Sequence, residues 1–282
     1  MRVVLLGAQG QLGAAVALEL RGGHDVVALT HAMLDITDDR AVRDTIAKAQ
    51  PDAIVNCAAY NDVDGAEDHP VEALNLNAFA VRALARAAAD AGAALVHFST
   101  DFVFDGNADR PYVETDRPNP RSTYAASKLL GERFAADAPR AYILRVESLF
   151  GSVNGARPAK GSVASILKAI QNGTEARVFE DRTISPTYVF DAAAATRRLL
   201  EQSAAPGIYH CVNSGACTWI EFAHELARRL RVEPKFVPIR MTEMTLRANR
   251  PLYCVLSNRK LASAGVMMPG WKEAVARYVA AI

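Results

Sequence analysis

Apolar residues along this chain fall into short unbroken runs, and between the runs they recur every three to four positions. Short runs bounded by turn residues read as strands buried on both faces, and the wider spacing reads as amphipathic helix. "RVVLLG" (2–7), "DVVAL" (25–29), "AIVNCAA" (53–59), "ALVHFST" (94–100) and "AYILRV" (141–146) are the runs. Helical patterns lie between them at 11–21, from Asp38 to Ala49 with Pro51 as the stop, over about 71–91, and from about Ser122 to Ala136. In the third of these, Leu74, Ala78, Val81, Ala85 and Ala88 share one face. Strands alternating with helices predict βαβ units, hence a doubly wound parallel sheet of Rossmann type with right-handed crossovers.

The pattern loosens after Gly151. "GSVNGARPAKGSV" reads as a loop, followed by a helix at 161–171 and a strand "ARVFE" at 176–180. "SPTYVFDAAAATRRLLE" (185–201) leads into a helix and "GIYHCV" (207–212) is a strand, with further helices at about 218–230 and 270–281. No linker separates the halves. The expected division is a dinucleotide-binding domain of residues 1–150 plus about 185–212, and a smaller, mostly helical substrate lobe of 151–184 plus 213–282.

Composition narrows the function classes. The 282 residues are 50% hydrophobic and 22% charged, an ordinary globular balance. Net charge is +1 with no basic block, which argues against nucleic acid. No apolar stretch approaches the length of a membrane span. The apolar N-terminus resembles a signal peptide at first sight, but glycines every third residue and a smooth run into a helical pattern make it the first strand, turn and helix. The four cysteines form no C-x-x-C pair and have no histidines at zinc spacing. Buried structural thiols and a reducing cytoplasmic setting are expected.

"GAQGQLG" (7–13) lies between the first strand and first helix, the context that a phosphate-binding glycine turn requires. Gly7 permits the tight turn, Gly10 lets a pyrophosphate approach, and Gly13 lets the helix pack on the sheet. The free N–H groups of the helix then face the phosphates. The second strand ends in Thr30 and His31, without the acid that takes the ribose hydroxyls of NAD and without an adjacent Arg. NADPH is therefore expected, with NADH possible. Asp35 is either an adenine contact or a loop residue ahead of the helix cap at Asp38.

"FSTDFVFDG" (98–106) begins at the end of the fourth strand, where ligands of such sheets bind. Of eight tyrosines, only Tyr124 has a Lys four residues on, Lys128, and that spacing puts both on one helix face. A free phenol titrates near about 10, and a neighbouring ammonium would lower that value. Tyr124 would then protonate a carbonyl oxygen while Thr100 holds it by a hydrogen bond.

With these stretches in hand, the chain resembles the extended short-chain dehydrogenase/reductases, and more narrowly the dTDP-4-dehydrorhamnose reductases. The likeness runs nearly end to end through "GAQGQLG", "LDITD", "VNCAAYNDVDGAE", "LNLNAFA", "FSTDFVFDG", "PYVETDRPNPRSTYAASKLLGE", "ISPTYV", "GIYHCVNSG" and "RPLYCVLSNRKL". The resemblance implies reduction of a nucleotide-linked 4-keto-6-deoxy sugar with Thr100, Tyr124 and Lys128 as the triad, in a pathway to rhamnose and cell-surface polysaccharide. It further implies cofactor contacts from Gly7, Gln9, Gly10, Gln11, Leu12, Gly13, Thr30, Asp35, Ile36, Cys57, Ala58, Ala59, Asn77, Ser99, Tyr124 and Lys128. By the same resemblance, Asn77 is expected to support the active site. Sugar or nucleotide contacts are expected from Tyr60, Val63, Asp64, Thr100, Asp101, Phe102, Ser148, Arg182, Trp219 and Arg250.

Two departures stand out. Where relatives carry a Trp flanking the sugar, "RVESLFG" (145–151) has Ser148, and Glu147 beside it could offer a carboxylate to a sugar hydroxyl. Where some members carry a Glu that links a dimer through a metal, this chain has Ala15, so no such metal site is expected; a monomer and a homodimer are both left open. Val63 and Asp64 are open to a capped-loop reading, and Arg182 to a surface role as well as a diphosphate contact. "HELAR" (224–228) lacks the second His of a zinc motif and reads as a solvated face. Rival readings are an epimerase or dehydratase of nucleotide sugars, or a non-catalytic regulatory subunit like that of methionine adenosyltransferase.

Overall fold

The computed structural model describes residues 1–153 and 161–282; the middle of the loop expected at 151–163 lies outside the described residues. The main sheet is built from β1 (Arg2–Leu6), β2 (Asp25–Leu29), β3 (Ala53–Asn56), β4 (Ala94–Thr100) and β5 (Ala141–Val146), joined by a late strand, β10 (Gly207–His210). All six run parallel, in the order β2-β1-β3-β4-β5-β10. Between them run α1 (Gln11–Arg21), α2 (Asp39–Ala49), α3 (Gly65–Asp68), α4 (Pro70–Leu74), α5 (Ala80–Asp90) and α6 (Thr123–Ala135).

Strand periodicity divides the core. Val3 and Leu5 of β1 face Leu12, Val16 and Leu20 of α1, and across the sheet Val4 and Leu6 face Val42, Ile46, Val81 and Leu84 of α2 and α5. Both faces are apolar, which is why the strands read as continuous runs. The strand order reverses between β1 and β3, and that switch point opens a crevice at the carboxyl ends of the strands.

The remaining chain returns several times. β6 (Leu149–Phe150) pairs with β9 (Thr187–Tyr188), β7 (Ala176–Phe179) with β12 (Phe236–Ile239), and β8 (Thr183–Ile184) with β11 (Cys217–Thr218). α7 (Ser162–Asn172), α9 (Trp219–Leu230) and α11 (Trp271–Ala280) surround an aromatic core of Phe150, Tyr188, Phe222, Trp271 and Tyr278. α8 (Val189–Glu201) instead packs beside α1, and the short α10 (Arg259–Ser263) lies near β10. α8 thus joins the core of the sheet domain, and so do Leu261, Val266 and Met268 from the segment expected in the lobe. Among the described residues no helix is long and apolar enough to cross a membrane, and all four cysteines are free thiols.

Three expectations change. The third strand stops at Asn56 instead of running to Ala59, because the Asn56 Oδ1 accepts from the Ala58 N–H at 3.1 Å and turns the chain. The helix expected over 71–91 is broken: a π-helical turn at Asn75–Phe79 separates α4 from α5. Such insertions are frequent at functional sites. The C-terminal lobe also carries more strand than expected, in β11 and β12.

Candidate active site

The glycine turn is shaped by backbone contacts. Gly7 has φ +73°, and a Cβ there would lie 2.7 Å from the Ala58 amide nitrogen. A Cβ on Gly13 would lie 2.2 Å from the Gly7 carbonyl oxygen. Gly10 is the N-cap of α1 and has no side chain to satisfy the first N–H groups of the helix. Those donors face a cavity of about 370 Å³, which suits an anionic pyrophosphate. The Gln11 Nε2 donates to the Gly151 carbonyl at 2.7 Å, tying the turn to the chain after β5.

The cavity is formed where β1, β3, β4 and β5 end. Leu12, Cys57, Ala58, Ala59, Ser99, Thr100, Tyr124 and Lys128 line it, as do Val63, Asp101, Phe102, Glu147, Ser148, Arg182, Trp219 and Arg250. Ser122 caps α6 by accepting from the Ala125 N–H, which starts the helix so that Tyr124 and Lys128 face the crevice. Thr100 ends β4. Its hydroxyl donates to Asp101 Oδ1 at 2.9 Å and accepts from the Phe102 N–H at 3.2 Å. Phe102 stands edge-on to Tyr124, with ring centroids 5.8 Å apart.

Lys128 Nζ donates to the Phe98 carbonyl at 2.5 Å. Burial lowers its pKa to about 8, opposed by the negative field of Glu132 one turn on. Tyr124 is raised well above the ordinary phenol value, first by burial and then by Asp101, and opposed by a hydrogen bond with Thr100. This differs from the lowering expected from an adjacent ammonium: Lys128 is turned toward β4, so the phenol keeps its proton. A held proton suits a donor.

Beneath the triad lies a buried ion pair. Arg145 grips Glu132 through two bonds of 2.8 Å, and the Ser99 hydroxyl donates to Glu132 at 2.6 Å. Ser99 thus lines the cavity with its hydroxyl already engaged. Asn77, placed by the π-helical turn, accepts from the Tyr60 N–H at 2.8 Å and donates to the Tyr60 carbonyl and to Ser127 Oγ. It supports the walls and does not line the cavity. Glu132 went unnoticed in the sequence, although its four-residue spacing from Lys128 was a usable signal.

Other candidates sit elsewhere. Gln9, Thr30, Asp35, Ile36, Tyr60 and Asp64 are outside the cavity lining, as is the buried base of the turn at Gly7. Asp35 accepts from the Thr37 N–H and hydroxyl in an exposed turn, which lowers its pKa, and Ile36 is packed in the core. Asp64 receives two bonds from Arg250, at 3.0 and 2.8 Å, and one from the Ala248 N–H. It clasps the C-terminal segment to the sheet domain. Tyr60 and Val63 pack against the Phe102–Tyr124 pair. Ser148 takes a positive φ of 44°, and the turn there sets both the buried Glu147 and Ser148 in the cavity wall.

A parallel sheet with a glycine turn, and a Thr, a Tyr and a Lys gathered over it, define the class of dinucleotide-dependent oxidoreductases built on a Rossmann sheet. The model of the RmlD substrate binding domain family matches residues 1–282, and the chain belongs to that family. It is 36% identical to the spore coat polysaccharide biosynthesis protein SpsK of Bacillus subtilis, over 99% of this chain and 96% of that protein. It is also 36% identical to the dTDP-4-dehydrorhamnose reductase of Mycobacterium tuberculosis, over 99% of this chain and 93% of that one. Among solved structures, the dTDP-4-dehydrorhamnose reductase of Bacillus anthracis str. Ames, in complex with NADP, superposes with a TM-score of 0.94 at 32% identity, covering 100% of this chain and 99% of that one.

Proposed function

We propose that this chain reduces the C4 keto group of dTDP-4-dehydrorhamnose, yielding dTDP-L-rhamnose, with NADPH as reductant. The observation that carries the reading is the convergence of Thr100, Tyr124 and Lys128 on the cavity that the glycine turn opens. Full-length likeness to reductases of that name supports the substrate, and the NADP complex of a relative supports the cofactor. Gly10, Gln11, Leu12 and Gly13 would hold the pyrophosphate, and Cys57, Ala58, Ala59 and Lys128 the nicotinamide ribose.

When bound, NADPH supplies hydride to C4. Thr100 rotates its hydroxyl proton from Asp101 to the sugar oxygen and orients the carbonyl. Tyr124, kept protonated by its burial, gives that oxygen its proton. The Lys128 ammonium, bonded to the Phe98 carbonyl at rest, would have to swing toward Tyr124 along their shared face of α6 to stabilise the phenolate left behind. Cytoplasmic residence as a monomer or homodimer completes the proposal.

Purified protein with NADPH and dTDP-4-dehydrorhamnose should consume the nicotinamide absorbance and yield dTDP-L-rhamnose by chromatography. Tyr124→Phe should lose about 10²- to 10⁴-fold in kcat while binding NADPH normally. A wild-type protein silent toward several 4-keto-6-deoxy sugar nucleotides would overturn the reading.

A further inference from the structure

Outside imidazole nitrogens, the buried side-chain nitrogens and oxygens that lack a hydrogen-bond partner among the described residues are four: Asp101 Oδ2, Glu147 Oε1, Arg182 Nε and Trp219 Nε1. All four residues line the one cavity already described. Native proteins rarely leave buried polar atoms unpaired, and a cluster of them around a cavity marks where a ligand's polar groups go.

The chemistry of that ligand follows from the charges. Arg182 Nη2 lies 3.8 Å from Asp101 Oδ2 and 3.5 Å from Cys254 Sγ, and its guanidinium stands over the Phe102 ring at 5.1 Å. One cation therefore serves two buried carboxyls, Asp101 and Glu147. A phosphate placed here would meet two acids for one Arg, so the diphosphate lies elsewhere and the diphosphate role considered for Arg182 falls away. A metal fares no better. Asp101, Glu147 and Cys254 bring donor atoms within 4.8 Å of one another, but Arg182 already supplies the positive charge, and burial keeps the Cys254 thiol protonated. What remains is a neutral group that both donates and accepts: a sugar hydroxyl. Glu147 is placed to receive it. Its Oε2 is fixed by the Ser185 N–H at 2.7 Å, which leaves Oε1 free, and the left-handed turn at Ser148 holds it in the wall.

We propose that Glu147, with Arg182 beside it, is the specificity-determining hydrogen-bond partner for a ring hydroxyl of the reacting sugar, so that this protein selects hydroxylated 4-keto sugars over their deoxy counterparts. The inference rests on the reductase reading above and adds the feature of the sugar that is read.

The test is a cycle between residue and hydroxyl. Wild type, Glu147→Gln and Glu147→Ala are assayed with the parent 4-keto-6-deoxy sugar nucleotide and with analogues lacking the 2- or the 3-hydroxyl. Calorimetric binding of the corresponding reduced sugar nucleotides accompanies the rates. Wild type should prefer the parent over one deoxy analogue by about 100-fold or more in kcat/KM, since a site built for a hydroxyl strongly rejects its absence. Glu147→Ala should lose at least about 10-fold on the parent and almost nothing on that analogue, and Glu147→Gln, whose oxygen is claimed by the Ser185 N–H so that its amide nitrogen turns a donor to the same hydroxyl, should recover part of the loss. Equal use of parent and both analogues by wild type would overturn the proposal. So would an equal loss on all three substrates in Glu147→Ala, the mark of a merely structural role. If wild type reduces no 4-keto sugar nucleotide, the reaction reading fails instead, and the binding data alone decide the hydroxyl: preference for the hydroxylated ligand, lost in Glu147→Ala, supports it, and indifference overturns it.

Discussion

Gly131 sets two expectations against each other. It lies inside α6, where replacing glycine by alanine ordinarily gains about 1 kcal/mol of helix propensity. Yet a Cβ at this position would lie 2.1 Å from the Asn77 carbonyl oxygen, on the π-helical turn. Ordinary contact begins at 3.4 Å, so 3.4 − 2.1 leaves the two elements about 1.3 Å too close. Both partners are backbone, neither can swing aside, and His97 blocks a sideways shift at 3.4 Å. Overpacking of this kind costs about 1–3 kcal/mol, and rigid partners put it at the upper end. Gly131→Ala should therefore destabilise by about 2 kcal/mol net of propensity, lowering Tm by about 4–8 °C in a chain of this size. Because α6 carries Tyr124 and Lys128, its retreat should also cut kcat by about 100-fold. Thermal unfolding and steady-state rates measure both effects. A Gly131→Ala protein as stable as wild type would refute the claim that the close approach of α6 to the π-helical turn, not propensity, selects glycine here.

Three further outcomes follow from the site. Gly13→Ala pushes a Cβ into the Gly7 carbonyl at 2.2 Å, so the turn must open, and NADPH affinity measured by fluorescence titration should fall at least about 10-fold. The Lys128 pKa is lowered to about 8 from 10.5, so the unfolded chain binds this proton more tightly than the folded one. Stability should therefore rise between pH 8 and 10.5, and urea titrations of Lys128→Met should lack that rise, whereas reductase activity should decline above about pH 8 as the ammonium is lost. Arg250→Ala breaks the two bonds to Asp64, a partly buried pair, and should cost about 1 kcal/mol in urea unfolding while raising the sugar-nucleotide KM more than it lowers kcat.

What could be read along the chain was whatever depends on neighbours in sequence. The glycine turn, the end of β4 and the Tyr124–Lys128 spacing are local patterns, and they converge because parallel strands all end at one edge of the sheet. The break at Asn75–Phe79 was hidden: alanine fills the surrounding helix so densely that an inserted residue leaves no phase shift to detect. Asp64 was ambiguous for a different reason. Its partner Arg250 is 186 positions away, and nothing local separates an acid that clasps a lobe from one that meets a sugar. The same holds for Arg182, whose planar donors suit a diphosphate until the fold sets Asp101, Glu147 and Cys254 around them. Cys254 gave no local signal of its own.

That difference explains where selectivity in this protein would reside. The triad and glycine turn are built from contiguous segments on the sheet and would serve any carbonyl beside a nicotinamide. The groups that would discriminate come from separate returns of the chain: Glu147 after β5, Arg182 before β8, Trp219 at the start of α9 and Arg250 in the C-terminal segment. They meet only because β6 pairs with β9 and β8 with β11, which draws the lobe over the mouth of the sheet. Thr218 and Glu221 form a capping box that begins α9 at Trp219 and sets its indole at the cavity wall. On this proposal chemistry would be carried by the sheet, and choice of sugar by Glu147 at the sheet's edge together with Arg182, Trp219 and Arg250. Substitutions at Glu147 should therefore change which sugar is reduced before they change whether a carbonyl is reduced at all.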